Sequence, residues 1–234
     1  MPAPSIELLI EFTKDEDART RATAIAGLAK VGDPRGYAPV LVALFDPVDE
    51  VRTAAAMALG IFADERSYEP LAQCLNDPCE QVGVSCAWAL GQTPTVAAAE
   101  KLFEVVASAV YAENIRVAAA TAIGERAEMT GSDLSESDEL IEKARAALLS
   151  ALEGSNGDLG STCIWTLGHL PSEPQTVQAC IGALRSDNEW MVRYAIEALA
   201  HIGSTETIPE LEKLTADSRT EVADLAQQAI KMLQ

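Results

Sequence analysis

The sequence predicts an all-α fold, an α-solenoid of about seven antiparallel helix pairs in a curved superhelix. Three observations carry this. A ten-residue pattern, V-R-x-x-A-A-x-A-L-G, returns at a near-constant interval along 234 residues, and self-similarity of that kind signals stacked repeats. Hydrophobic residues make up 48% of the chain and aromatics only 5%, so Ala, Leu, Val and Ile must close the core, which suits close-packed helices. Residues that stop and start helices punctuate the sequence between the repeats.

Seven segments align on the pattern, with first positions at Thr20, Val51, Val82, Ile115, Leu159, Met191 and Val222 and intervals of 31, 31, 33, 44, 32 and 31 residues. In every copy an apolar residue stands eight places on: Leu28, Leu59, Leu90, Ile123, Leu167, Leu199 and Ile230. This spacing is helical; each such helix is termed helix B. A shorter amphipathic helix A precedes it, as in YAPVLVALF (37–45), YEPLAQCL (68–75), VQACIGAL (177–184) and IPELEKL (208–214). Gly32-Asp33-Pro34, Asp46-Pro47, Asp77-Pro78 and Gly203-Ser204 supply the turns.

The expected pairs span about 5–32, 35–63, 66–92, 95–128, 135–170, 174–203 and 205–234, in a single repeat domain over 1–234. The long interval places an acidic insertion, MTGSDLSESDE, at about 129–139. It reads as a loop, with Ser135 and Asp138 spaced as a capping box.

The net charge is −19, from 36 acidic and 17 basic side chains. Such a surface repels nucleic acid and anionic membranes, since phosphate is bound through Lys and Arg, and it attracts a basic protein. No apolar run approaches the roughly 18–20 residues that span a bilayer. Five cysteines, an odd number, and an N-terminus, MPAPSIELLIEF, without a signal-peptide pattern fit a reducing cytoplasm.

VRTAAAMALGIFAD (51–64), VGDPRGYAPVLVALFD (31–46) and NEWMVRYAIEALAHIG (188–203) resemble HEAT-type repeats of the subclass named after phycobilisome lyases. The resemblance covers nearly the whole chain and implies that helix B lines the concave side. It implies a wide range of roles, from lyase subunits and assembly chaperones to adaptors and toxin-immunity proteins.

Counting the first position of helix B as zero, the small and aliphatic residues at 0, 4, 7, 8 and 11 pack inward, leaving the stripe at 2, 6 and 10 for solvent. On or beside that stripe stand the candidate contact residues Met57, Ile61, Val84, Trp88, Gln92, Thr121, Glu125, Trp165, His169, Trp190, Arg193, Glu197 and His201. Trp88 and Trp165 occupy matched positions in GVSCAWALGQ (83–92) and GSTCIWTLGH (160–169). Tryptophan, arginine and methionine are side chains of binding surfaces, and Met57, Ile61, Val84, Trp88, Val117 and Trp165 read as one apolar band. The competing reading has each indole lean over and fill the joint between neighbouring pairs.

Gly83 and Gly160 replace the arginine present as Arg21, Arg52 and Arg116, which makes room for a neighbouring backbone or a ligand. His169 and His201, the only histidines, share position 10 in successive pairs, an arrangement able to take a metal or a proton. The cysteines lack metal-site spacing and read as small core residues. No Gly-rich phosphate loop or nucleophile elbow occurs.

The sequence therefore argues for no catalytic residue, metal or cofactor. The expected function is a non-catalytic scaffold, adaptor or assembly chaperone that captures a basic protein or peptide on its concave face. The resemblance implies two alternatives: a phycobilin lyase subunit or chaperone binding a linear tetrapyrrole, and a toxin-immunity protein.

Overall fold

In a computed structural model of the chain, residues 5–129 and 137–234 are described. They form α-helices and three single-turn 3₁₀ segments, with no strand among the described residues. The helices alternate as pairs: α1 (Ile6–Phe12) with α2 (Ala18–Val31), α3 (Tyr37–Ala43) with α4 (Asp49–Phe62), and α5 (Tyr68–Cys74) with α6 (Glu80–Gln92). There follow α7 (Val96–Ala107) with α8 (Glu113–Glu128), α9 (Asp138–Leu152) with α10 (Asp158–His169), α11 (Pro174–Ala183) with α12 (Glu189–Ile202), and α13 (Ile208–Glu212) with α14 (Thr220–Leu233).

The ends follow local chemistry. Side chains of Ser5, Asp17, Thr95, Ser137 and Asn188 accept hydrogen bonds from the first-turn amides of α1, α2, α7, α9 and α12, satisfying donors that the helix itself cannot. Gly32 and Gly203 end α2 and α12 at φ of 68° and 75°, a left-handed conformation that glycine adopts without steric cost. The 129–139 insertion needs correction at its far end. Ser137 caps α9, and Asp138 and Glu139 form its first turn; Ser135 lies outside the described residues.

The helical register holds throughout. Val51, Val82, Ile115, Leu159, Met191 and Val222 at position 0 are buried, as are the position-8 residues from Leu28 to Leu199. Thr20 and Ile230, at the two ends, are only half-buried because a terminal repeat has one neighbour. Two hydrophobic clusters result, one from Ile6 to Leu170 and one from Ile164 to Leu233, with Leu152 and Ala179 packed against both.

Each helix B packs on the next along the whole stack, whereas most neighbouring A helices scarcely touch. The residues between B helices explain the difference. A methyl placed on Gly60 would lie 3.0 Å from Ala89 Cα, one on Gly91 2.7 Å from Ala122 Cβ, and one on Gly168 2.6 Å from Ala198 Cβ. Glycine at position 9 thus faces alanine at position 7 of the following helix, and the backbones close together. A stack with one tight layer and one splayed layer bends toward the tight one, so helix B lines the inner side. The exception is α7 and α9, longer than the short A helix expected and packed together.

Ionic links join successive repeats at the other end of helix B. Arg21 donates from Nε and Nη2 to both carboxylate oxygens of Asp46, at 2.8 Å each, and Arg52 does the same to Asp77 at 2.7 and 2.8 Å. Each aspartate also accepts from the amide two residues on, Val48 or Cys79. Burial raises both carboxyls, but the guanidinium and amide donors outweigh it and hold them below their ordinary value. The ladder stops at Gly83, where a methyl would meet Ile115 Cδ1 at 2.6 Å and the Leu75 carbonyl at 3.1 Å. At Gly160, Ser155 O and Met191 Cε fill the space. Neighbouring chain, and not a ligand, takes the room that these glycines leave.

Candidate functional site

The inner face is built from positions 2, 6 and 10 of successive B helices. Met57 and Ile61 on α4 are 49% and 57% exposed, and Trp190 at the start of α12 is 56% exposed. Glu197 and His201 are also exposed, while Val84, Trp88, Gln92, Thr121, Glu125, Trp165, His169 and Arg193 are half-buried. One residue of the stripe departs from the expectation: Ser161 is buried, its hydroxyl donating to Gly157 O at 3.0 Å.

The tryptophans divide between the two readings made of them. A methyl on Gly60 would stand 2.5 Å from Trp88 Cζ3, and one on Gly124 would overlap Trp165 Cζ3. Each indole therefore rests its edge on the position-9 glycine of the preceding helix B, filling the joint, and keeps part of its surface on the inner face. The sequence held the signal, since each glycine ends the pattern copy just before its tryptophan.

Around Trp165 the face deepens. Its ring centroid lies 4.4 Å from that of His169, which in turn lies 5.7 Å from that of His201. Both imidazoles are anchored through Nδ1 to main-chain carbonyls, His169 to Trp165 O at 2.8 Å and His201 to Gly168 O at 2.9 Å. His169 Nε2 stands 3.0 Å from Glu128 Oε1. A recess of about 150 Å³ opens here, lined by Trp165, Gly168, His169, Tyr194, Glu197, Ala198 and His201. A cleft of about 390 Å³ adjoins it across the histidines, lined by Ala127, Ile141, Gly168, Leu170, Pro171, Ser172 and Ile202.

Tyr194 and Glu128 are the residues that sequence reading missed. Trp190, Tyr194, Glu197 and His201 follow at intervals of 4, 3 and 4, one helical face, so Tyr194 was accessible to the same count. Glu128 belongs to another repeat and reaches His169 only through the stacking. Arg193, next on the stripe, is committed elsewhere: it lies 4.6 Å over the Trp190 ring and pairs with Glu221.

Among the described residues no group of three or more His, Cys, Asp or Glu side chains is placed to hold a metal ion. Burial pushes the Cys163 and Cys180 thiols up to about 12, which suits inert core residues. No helix among the described residues is long and apolar enough to cross a membrane.

Comparison with known proteins agrees with this architecture. The HEAT-repeat profile matches residues 6–84, 46–124 and 145–231. No curated protein matches the chain in sequence. Among solved structures, the complex of CpcE and CpcF of phycocyanin lyase from Nostoc sp. PCC7120 is 20% identical, covering 100% of this chain and 96% of that one, with a TM-score of 0.57. An engineered protein is also 20% identical over 97% of this chain and 68% of its own, with a TM-score of 0.58. Likeness at such identity shows the fold alone. With the profile spanning nearly every helix pair, and with tight B helices, splayed A helices and one repeated core register, the chain belongs to the HEAT-repeat family.

Proposed function

We propose that this protein is a non-catalytic scaffold that captures a basic segment of a partner protein along the inner face of its stack. The observation that supports this reading is the band Met57, Ile61, Val84, Trp88, Val117 and Trp165. Its members lie on successive B helices and keep exposed or half-exposed apolar surface. Contiguous apolar surface rimmed by polar residues is characteristic of interaction sites. The net charge of −19 selects a partner of opposite sign.

Met57 and Ile61 are the residues to change, because they are exposed, whereas the tryptophans also support the joints. Peptides selected from a displayed random library against the purified chain are expected to lose about tenfold in affinity for Met57→Gln/Ile61→Gln, the effect of removing a binding hot spot. The melting temperature is expected to hold. Selected peptides that bind the double variant as tightly as wild type remove this face from the function.

A second reading has one observation in its favour. The cleft of about 390 Å³ beside His169 and His201 falls within the ~300–1,000 Å³ range of small-molecule sites, and Trp165 stands next to it. A linear tetrapyrrole is the ligand that this reading names. Mixing with a bilin is expected to shift and sharpen its visible absorbance if the cleft takes it; an unchanged spectrum excludes it.

A further inference from the structure

We infer that the recess between α10 and α12 is a receptor for one basic side chain, the guanidinium or ammonium group of a partner residue. This inference deepens the reading of the inner face as a binding surface and rests on it.

Size narrows the occupant first. At about 150 Å³ the recess is half the ~300 Å³ at which small-molecule sites begin, so it suits a single side chain. Its walls narrow the chemistry further. Trp165 and Tyr194 line it with aromatic rings, whose faces attract cations, beside the imidazoles of His169 and His201. Three of these rings are fixed before any ligand arrives, because both imidazoles are tied to main-chain carbonyls and Trp165 is seated against Gly124.

Charge then sets the sign. The carboxylate of Glu197 lines the recess and has no ion pair or hydrogen-bond partner among the described residues. Glu128 stands at the rim, 3.0 Å from His169. The nearest cation of the same helix, Arg193, lies one turn away and is held by Glu221 and Trp190. The recess thus has two aromatic walls, an unpaired carboxylate and, apart from its two imidazoles, no basic side chain in its lining, within a strongly acidic protein.

His169 and His201 are the only histidines, so their imidazole signals in a ¹H–¹³C spectrum report on this recess without interference. The full chain is titrated with three capped tripeptides, Gly-Arg-Gly, Gly-Lys-Gly and Gly-citrulline-Gly. Citrulline keeps the planar shape of arginine and removes the charge.

The arginine peptide is expected to move both signals saturably and the citrulline peptide to leave them in place. A responding lysine peptide extends the site to ammonium groups. Glu197→Gln, at an exposed position, is expected to weaken the arginine peptide about two- to fivefold; Tyr194→Leu, which removes a ring face, has a similar effect. The inference is overturned if citrulline moves the signals as arginine does, if arginine gives no saturable shift, or if both variants bind it unchanged.

Failure here is separable from failure of the wider reading. Peptide capture that depends on Met57 and Ile61, beside an unresponsive recess, keeps the inner face and discards the receptor. A responsive recess beside capture indifferent to those residues does the reverse.

Discussion

Trp88 and Trp165 each work with a glycine one repeat earlier, and the pairing explains why the two ten-residue segments look alike. Gly60→Ala trades a helix-propensity gain of up to ~1 kcal/mol for a methyl 2.5 Å from Trp88 Cζ3 and 3.0 Å from Ala89 Cα. Overpacking of this kind costs about 1–3 kcal/mol. The net expectation is destabilisation in chemical unfolding, with tryptophan emission shifted to the red as the indole is pushed outward; a variant as stable as wild type, with unchanged emission, sinks the pairing. Arg126 makes a second residue-level case. Its buried guanidinium donates to Thr93 O at 2.8 Å and Thr95 O at 3.0 Å, with Gly91 O and Leu90 O also within reach. It thereby ties the turn between α6 and α7 to α8 through charge-assisted bonds. Arg126→Leu removes these bonds and is expected to cost about 1.5–3 kcal/mol, read as a fall in the denaturation midpoint; a loss under about 0.5 kcal/mol, the range of ordinary surface changes, removes the linking role. Neither arrangement is visible in a single repeat, because each partner sits on a different helix pair.

At the scale of elements, helix B and the turns were legible because position 8 and the Asp-Pro links repeat in register, and local chemistry decides both. The lengths of α7 and α9 were not legible, because their mutual packing, which no local rule contains, supports the longer helices. The Arg21–Asp46 and Arg52–Asp77 links carry a pH consequence. A carboxyl held below its unfolded value adds stability that is complete above the unfolded pKa, here 3.8, and is lost as pH falls through the folded one. For Asp46 and Asp77 the window opens near 3.8 and runs below it, as it does for Asp33 and Asp217, lowered to about 2 chiefly by hydrogen bonds from Arg35 and Arg219. The melting temperature is expected to fall across that window, and Asp46→Asn/Asp77→Asn to start lower and fall less steeply. Equal slopes for variant and wild type assign the acid response to other groups.

For the whole molecule, the acidic surface sets the behaviour of any basic partner. Raising ionic strength is expected to slow association far more than it speeds dissociation, since screening acts on the approach of separated charges; stopped-flow rates that do not change with salt leave the charge without a part in recognition. The solenoid was legible from its period, and the inner stripe from a count along each helix. The recess was only half legible, because Glu128 meets His169 through the stacking of the repeats and not through any spacing in the chain. That recess also lies where the two hydrophobic clusters meet, bridged by His201 and the carbonyl of Gly168. A partner side chain lodged there acts as a rivet across the joint, so loading the protein is expected to fasten its last two helix pairs more firmly to the first five.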